Sequence, residues 1–230
     1  MSEIELGKGD YPVKRIVCMV LVLLCVGVVA MAETVPSKNT ADMVTVEIDR
    51  NLNPNIPTDA GFTVLPILEE DPEQAERYAE EITLCQDEIA KLAQNVNQGA
   101  DIGASAAVEN YFGQVSDAEG NPVRLSEALS AQTLNVHEFM PLTVSHYDSN
   151  YGPVVCTFRF KTPYGLDEQV LVLVGIQNGQ DQTLGWTAFE GVGTGEEGAI
   201  QVEFTPQIMQ DVQDRVALLA VVSAGDAPQA

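Results

Sequence analysis

The segment from residue 153 to residue 176 carries the clearest strand patterns in the chain and constrains its fold most. In the first half, Cys156, Phe158 and Phe160 alternate with polar side chains, which predicts a strand with one apolar face. Residues 170–174 are apolar without a break, as is typical of a central strand covered on both faces. A turn-like segment joins the two patterns, so this stretch predicts two adjacent strands.

Weaker strand patterns surround this segment, and turns rich in Gly, Asn and Asp separate them. They fall at residues 134–140, 142–147, 184–192, 200–204 and 216–222. Several strands at such spacing predict an antiparallel sandwich or small barrel. We therefore expect an α+β chain in which residues 133–224 form a C-terminal antiparallel β-sandwich of loosely immunoglobulin-like layout, with a tail at 225–230. The last strand has no cysteine to pair with Cys156, so the hallmark of antibody domains is absent. Before that strand, Thr205-Pro206 predicts the start of a short helix, in which Asp211 and Arg215 are spaced as an i,i+4 pair.

The N-terminal 32 residues have the layout of a secretory signal peptide. The basic pair Lys14 and Arg15 precedes a 17-residue apolar run, residues 16–32, that contains no charged side chain and ends in Ala-Met-Ala. This layout predicts cleavage after Ala32 and export of the rest of the chain.

Two alternatives to a cleaved signal remain. An uncleaved transmembrane anchor needs about 20 apolar residues, so the run is short for one. A lipoprotein anchored at Cys25 needs a small residue before the cysteine, and Leu24 is not small. Because basic residues precede the run, an anchor would also place the folded part outside the cytoplasm.

Between the leader and the strands, residues 33–70 predict an acidic spacer punctuated by prolines, and residues 71–132 a helical segment. Asp71 and Pro72 form a typical helix start. Apolar residues then recur at spacings of three and four: Tyr78, Ile82, Cys85, Ile89, Leu92 and Val96. We expect this seam to pack on the sandwich of the same chain. A homodimer through the seam is the less favoured alternative to a monomer.

Cys85 and Cys156 are the only cysteines after the leader. In an oxidising compartment they are a candidate disulfide pair. Both also fall on predicted apolar faces, where a free thiol packs as a small hydrophobic group. The sequence leaves both outcomes open.

No motif for catalysis, metal binding or cofactor binding is present. His137 and His146 lack a third ligand at zinc spacing, and we interpret them as polar residues beside turns. Acidic and amide residues alternate after Asp117 and after Asp148, but neither segment continues to the closing Glu of a calcium-binding loop. The sequence therefore predicts no catalytic residue, no metal and no cofactor.

The net charge of −23 limits the choice of partners, because 34 Asp and Glu outnumber 11 Lys and Arg. Nucleic acids and anionic lipid surfaces bind clustered basic residues, so neither is an expected partner. We expect membrane contact only through the N-terminal segment, if it is retained.

These features favour a secreted or extracytoplasmic protein that serves as a non-enzymatic binding or cell-envelope structural module, with an unidentified extracellular or envelope ligand. Loops of a sandwich cluster at its ends. We assign ligand contacts to turns expected at one end: Asp148, Asn150, Tyr151, Asn178, Asp181 and the turn at 193–198. The alternatives are a carboxylate-based hydrolase acting on envelope or extracellular polymers, and an assembly module that dimerises through the helix seam.

Overall fold

The computed structural model describes residues 43–64, 76, 78–98, 104–160, 164–178, 183–196, 198–213, 215 and 217–225. The predicted leader with its cleavage point after Ala32, the helix start at Asp71 and the turn residue Asp181 lie outside these ranges. Among the described residues, no helix combines the length and the apolar character needed to span a bilayer.

Strands dominate the C-terminal half of the described chain, and the longer helices precede them. The helices are α1 (Ala79–Gln98), α2 (Ala104–Phe112), α3 (Leu125–Ala128) and α4 (Pro206–Val212). The strands are β1 (Met43–Ile48), β2 (Gly61–Val64), β3 (Val115–Ser116), β4 (Pro122–Val123), β5 (Leu134–Ser145), β6 (Val154–Phe160), β7 (Gln169–Gln177), β8 (Leu184–Gly193), β9 (Ala199–Phe204) and β10 (Ala217–Ala224). A 3-10 turn, Ser149–Tyr151, precedes β6.

The strands form one curled antiparallel sheet, a half-barrel, in the order β1-β6-β9-β8-β7-β10-β5-β2. Beside this path, β3 pairs in parallel with β8 and antiparallel with β4. As the sheet curls, the strands at the two ends of the order, β1 and β2, approach each other. The fold is therefore α+β with a β-rich C-terminal region. The immunoglobulin-like sandwich is not confirmed, because the described strands belong to a single sheet.

The two strands predicted first, β6 and β7, both form, but they are not neighbours in the sheet. β7, β8 and β9 follow one another as antiparallel neighbours, and β9 then pairs with β6. This is the order of a Greek key. The alternation in β6 specifies which side chains share a face, but it carries no information about which strand lies alongside.

The predicted strands at 134–140 and 142–147 are one continuous strand, β5. Pro141 lies inside it, opposite Leu218 of β10. On the other side of β5, pairing with β2 starts only at Leu142. Pro141 therefore occupies an edge position in the described sheet, where a missing N–H donor is tolerated.

Apolar side chains fill both faces of the central part of the sheet. Val170, Val172 and Val174 of β7 belong to the core on the concave, inner face of the half-barrel. The alternate residues Leu171 and Leu173 belong to a second core on the outer face, under α1 and α2. The prediction that this strand is covered on both faces is thus confirmed.

The helix seam lies in the outer core. Cys85, Leu92 and Val96 of α1 are buried there, and the helix packs against α2 and β5. Ile82 of the seam is also buried, at 2% exposure. Ile89 is partly buried against the same core. The seam therefore packs on the body of its own chain.

α4 contributes to the inner core. Its start is capped by Thr205, whose hydroxyl accepts a hydrogen bond from the Ile208 N–H at 3.5 Å, and Pro206 is its first residue. The helix buries Ile208, Met209 and Val212 in the core of the half-barrel. The short helix predicted after Thr205-Pro206 is confirmed.

Candidate functional site

The cysteines are separated by the sheet. Cys85 lies in the outer core and Cys156 in the inner core, and both thiols are buried. The disulfide considered from the sequence is not formed in the structure, because the two side chains pack in different layers. Burial, together with a smaller effect of the Glu88 charge, raises the pKa of Cys85 to about 12, and burial also raises the pKa of Cys156. Neither thiol is therefore poised as a nucleophile.

The predicted binding turns do not all lie at one end of the sheet. Asn178 follows β7 at the end where β7 and β8 pair through Gln177 and Leu184, whereas the turn at 193–198 follows the opposite end of β8. The 3-10 turn Ser149–Tyr151 packs against α4. The backbone alternation that predicts strands does not give their direction in the sheet, so it could not assign these turns to ends.

The carboxylates of the acidic turn residues accept hydrogen bonds from groups of their own loops. The Asp148 carboxylate accepts hydrogen bonds from the backbone N–H and the side-chain amide of Asn150, at 2.9 and 2.6 Å. Asp117 accepts likewise from the N–H groups of Glu119 and Asn121, at 3.0 and 2.8 Å. These bonds lower the pKa of Asp117, the bond from the Asn121 side chain most. Both carboxylates thus shape turns, and the described residues contain no cluster of three or more His, Cys, Asp or Glu placed to hold a metal.

A fork in the sheet creates a surface groove. Near its end, β8 pairs with β9 through residues 191–193, but near its start Trp186 and Thr187 pair with β3 instead. Beyond the fork, β9 runs alongside β6 to Phe204 and leads into α4. We call the space between these elements the fork groove. It has a volume of about 480 Å³ and is lined from β3, from the adjoining ends of β7 and β8, and from α4 and the residues after it.

The fork groove presents mainly neutral polar side chains. It is lined by the amides of Gln114, Gln177 and Asn178, the hydroxyls of Ser116 and Thr187, the carboxylate of Asp211 and the guanidinium of Arg215. Such groups both donate and accept hydrogen bonds. The groove is therefore suited to binding a polar ligand.

The floor of the fork groove is rigid. Trp186, which is 5% exposed, lies edge-on to Phe112 and Phe139, with ring centroids 5.0 and 5.9 Å apart. Gly175, its cross-strand partner, leaves room for the indole, since a Cβ there would lie 2.6 Å from the ring. This packing fixes the strand positions from which Thr187 and Asn178 project.

The groups at the mouth of the fork groove are positioned by local contacts. The Gln207 side-chain amide donates to both oxygens of Asp211, at 3.1 and 3.0 Å. α4 ends at Val212, so Arg215 lies beyond the helix. The helical Asp211–Arg215 pair expected from their spacing does not form in the described structure.

A second polar groove, of about 440 Å³, lies on the outer face of β1, β6 and β9, which α1 and α2 leave uncovered. Its two cations are already engaged. Arg159 pairs with Glu196 and Glu47, and Arg50 donates to backbone carbonyls of residues 56–60. A ligand in this groove would have to compete with these contacts for both guanidinium groups.

A β-bulge in β5, beside β10, produces a partly buried polar cluster. The register with β10 shifts at Val221 and Val222, which leaves His137 as the extra residue. Its Nε2 lies 2.7 Å from the Ser223 hydroxyl, and its ring packs edge-on to Tyr164 at 5.9 Å. Burial lowers the pKa of His137, and the charge of Glu168 opposes this effect. Ser223 is 2% exposed, whereas His137 is half-buried.

His137 corrects the sequence interpretation of the histidines. It lies within β5 and not beside a turn, whereas His146 directly follows that strand at a positive φ of 55°. The sequence did not indicate that Gln114, Ser116, Thr187 and Arg215 line the groove. They come from three separate segments, and no local pattern links them. Among the predicted binding residues described here, Asn178 lines the groove.

Comparison of the chain with protein-family models, with curated proteins and with solved structures gives no significant match.

Proposed function

We propose that this chain is an exported, non-enzymatic binding module of the cell envelope, with the fork groove as its ligand site. The observation that carries the proposal is the contrast between a filled interior and a polar surface groove. Residues of β5, β6, β7, β9, β10 and α4 pack the inner face of the half-barrel with apolar side chains. Because side chains fill the inner face, we expect ligand binding at the surface.

Export is supported by the leader pattern and by the charge. Lys14 and Arg15 followed by an uncharged run up to Ala32 make up the signal-like layout. The acidic body, part of a chain with a net charge of −23, keeps the module soluble outside the cell.

A hydrolase is the weaker candidate for the groove. Polysaccharide hydrolysis uses two carboxyl groups that face each other across the scissile bond. Asp211 is the one carboxylate among the described residues that line the fork groove, and it is 3.0 Å from the Gln207 amide. A binding site needs no such pair, so the groove supports binding over hydrolysis.

The export part is tested by expressing the full chain with a C-terminal tag and determining its N-terminus and cell fraction. An N-terminus at Glu33 in the extracytoplasmic fraction indicates a cleaved signal, and retention of residues 16–32 with the body accessible to external protease indicates an anchor. A body protected from external protease, with the leader intact, would contradict export.

The binding part is tested by co-sedimentation with insoluble cell-envelope polymers. Gln177→Ala combined with Asn178→Ala removes two amides from the groove and should weaken binding by about tenfold or more, because hydrogen bonds of this kind contribute about 1 kcal/mol each. Gln94→Ala, at an exposed position on α1, is the matched control. Equal binding by all three proteins would exclude the fork groove as the site.

A further inference from the structure

Nearly all of the described Lys and Arg side chains form hydrogen bonds or ion pairs. Arg50 donates to the carbonyls of Ile56, Pro57, Thr58 and Ala60, and Lys91 pairs with Glu88. Arg124 pairs with Glu109 and Glu127, and Arg159 with Glu47 and Glu196. Among the described Lys and Arg residues, Arg215 alone makes no hydrogen bond or ion pair through its side chain, and it lines the fork groove.

We infer that Arg215 binds a carboxylate of the ligand, and that the ligand of the fork groove is a carboxylate-bearing saccharide. This inference rests on the proposed binding function and adds its chemical class. A guanidinium is planar and offers two parallel N–H donors, a geometry that fits a carboxylate. In a chain with 34 acidic residues, a guanidinium without a carboxylate partner in the described structure is available for one from outside.

The nearest acidic group in the groove does not satisfy Arg215. Asp211 lies within the same lining, but both of its oxygens accept from the Gln207 amide, and it forms no ion pair with Arg215. The acidic surface elsewhere acts weakly on a bound carboxylate, because charges beyond about 8 Å are screened at physiological ionic strength.

The remaining lining favours a saccharide over a peptide strand. A peptide that extends a sheet needs free backbone groups on the strand edge. Where β3 meets β8, those groups pair with each other, since Val115 lies opposite Trp186 and Ser116 opposite Thr187. Recognition therefore falls to side-chain amides and hydroxyls, namely those of Gln114, Gln177, Asn178 and Thr187, which match the closely spaced hydroxyls of a sugar.

The test uses isothermal titration of the full chain with trimers and tetramers of galacturonate and glucuronate, and with the methyl esters of the same oligomers. The ester keeps every hydroxyl and removes the charge. We expect the acids to bind wild type about tenfold more tightly than the esters, with a larger ratio at low salt. Arg215→Gln should remove that difference, and Arg215→Lys should restore part of it because charge returns without the planar fork.

Arg124→Gln is the matched control, because Arg124 is 68% exposed and lies outside the fork groove. It removes the same charge and should keep the tenfold preference. Equal binding of acids and esters by wild type, with affinity lost in Gln177→Ala/Asn178→Ala, would overturn the carboxylate inference and leave the binding function intact. Absence of binding by acids, esters and envelope polymers alike would overturn both.

Discussion

At the scale of single residues, Asn53 joins the loop after β1 to strand β6. Its side-chain amide donates to the carbonyls of Asp49 and Val155, at 2.5 and 3.2 Å, and its oxygen accepts from the Val155 N–H at 3.2 Å. Asn53 is 6% exposed. Its side chain therefore takes the place of water as the hydrogen-bond partner of backbone groups that lie beyond the last residue of β1. Arg50 organises the other side of the same loop through its bonds to backbone carbonyls.

Replacement of Asn53 by Ala should therefore destabilise the fold by about 1–3 kcal/mol, because it removes the partner of the Val155 N–H, whereas the Val155 carbonyl keeps the Asp49 N–H at 2.9 Å. Urea unfolding followed by circular dichroism measures this as a lower midpoint with an unchanged slope. Asn55→Ala, at an exposed position in the same loop, is the control and should change stability by less than about 0.5 kcal/mol. Equal stability of the two variants would show that the Asn53 bonds contribute nothing.

His137 gives the fold a pH dependence with a defined sign. Burial in the cluster with Ser223 and Tyr164 lowers its pKa from the ordinary value of 6.5, against a smaller opposite effect of Glu168. The unfolded chain therefore takes up the proton first as the pH falls. The contribution of a neutral His137 to stability is complete above about pH 6.5 and is lost as the pH drops from there towards the lower folded-state pKa.

The urea midpoint of wild type should accordingly fall between pH 7.5 and pH 5.5 more steeply than that of His137→Gln. His146→Gln is the matched control, because the His146 side chain is 67% exposed. This variant should keep the wild-type steepness. A His137→Gln profile as steep as that of wild type would assign the acid sensitivity to other groups.

At the scale of elements, the pairing of β7 with β8 depends on one close approach. Gly175 faces Trp186 across the two strands, and a Cβ at residue 175 would lie 2.6–2.8 Å from three atoms of the indole ring. The indole cannot retreat freely, because it packs against Phe112 of α2 and Phe139 of β5. A glycine here thus allows the aromatic floor of the fork groove to lie flat on the sheet.

Gly175→Ala should overpack this site and destabilise the fold by about 1–3 kcal/mol. Displacement of the Trp186 indole should also change the shape of the fork groove, so ligand affinity should fall together with stability. Thermal unfolding and titration of the same variant measure both quantities. Gly185→Ala, where a Cβ would meet atoms no closer than 3.8 Å, is the control on the neighbouring strand and should fold as wild type does. A stable Gly175→Ala variant would mean that the indole moves at little cost.

The positions of strands and helices were easier to predict from the sequence than the pairing of one strand with another. The alternation of Cys156, Phe158 and Phe160 identified β6, and the Thr205-Pro206 start identified α4, because both signals are local. The Greek-key order depends on pairings over long sequence distances, such as Val154 with Phe204, which no local pattern encodes. The same limit explains why Asn53, in a segment assigned to a spacer, and Arg215, assigned to a helix pair, have other roles in the structure.

At the scale of the whole molecule, one sheet is shared by two cores. β5, β7 and β10 contribute alternate side chains to the inner core and to the outer core under the helices, so neither core can form without the strands of the other. Each core contains one buried thiol, Cys156 inside and Cys85 outside. The thiols are therefore built-in reporters of whether the layers open together.

Both thiols should resist alkylation in the native protein, because burial keeps them protonated and sterically shielded; the pKa of Cys85 is raised to about 12. As urea increases, they should become reactive at the same concentration, as expected if a shared sheet makes unfolding one cooperative step. Mass spectrometry of pulse-alkylated protein, with peptides spanning each cysteine, gives the two midpoints separately. Earlier labelling of Cys85 would instead show that α1 and α2 detach from a half-barrel that remains folded. In that state the inner core, capped by α4, would hold the sheet together without its helical layer.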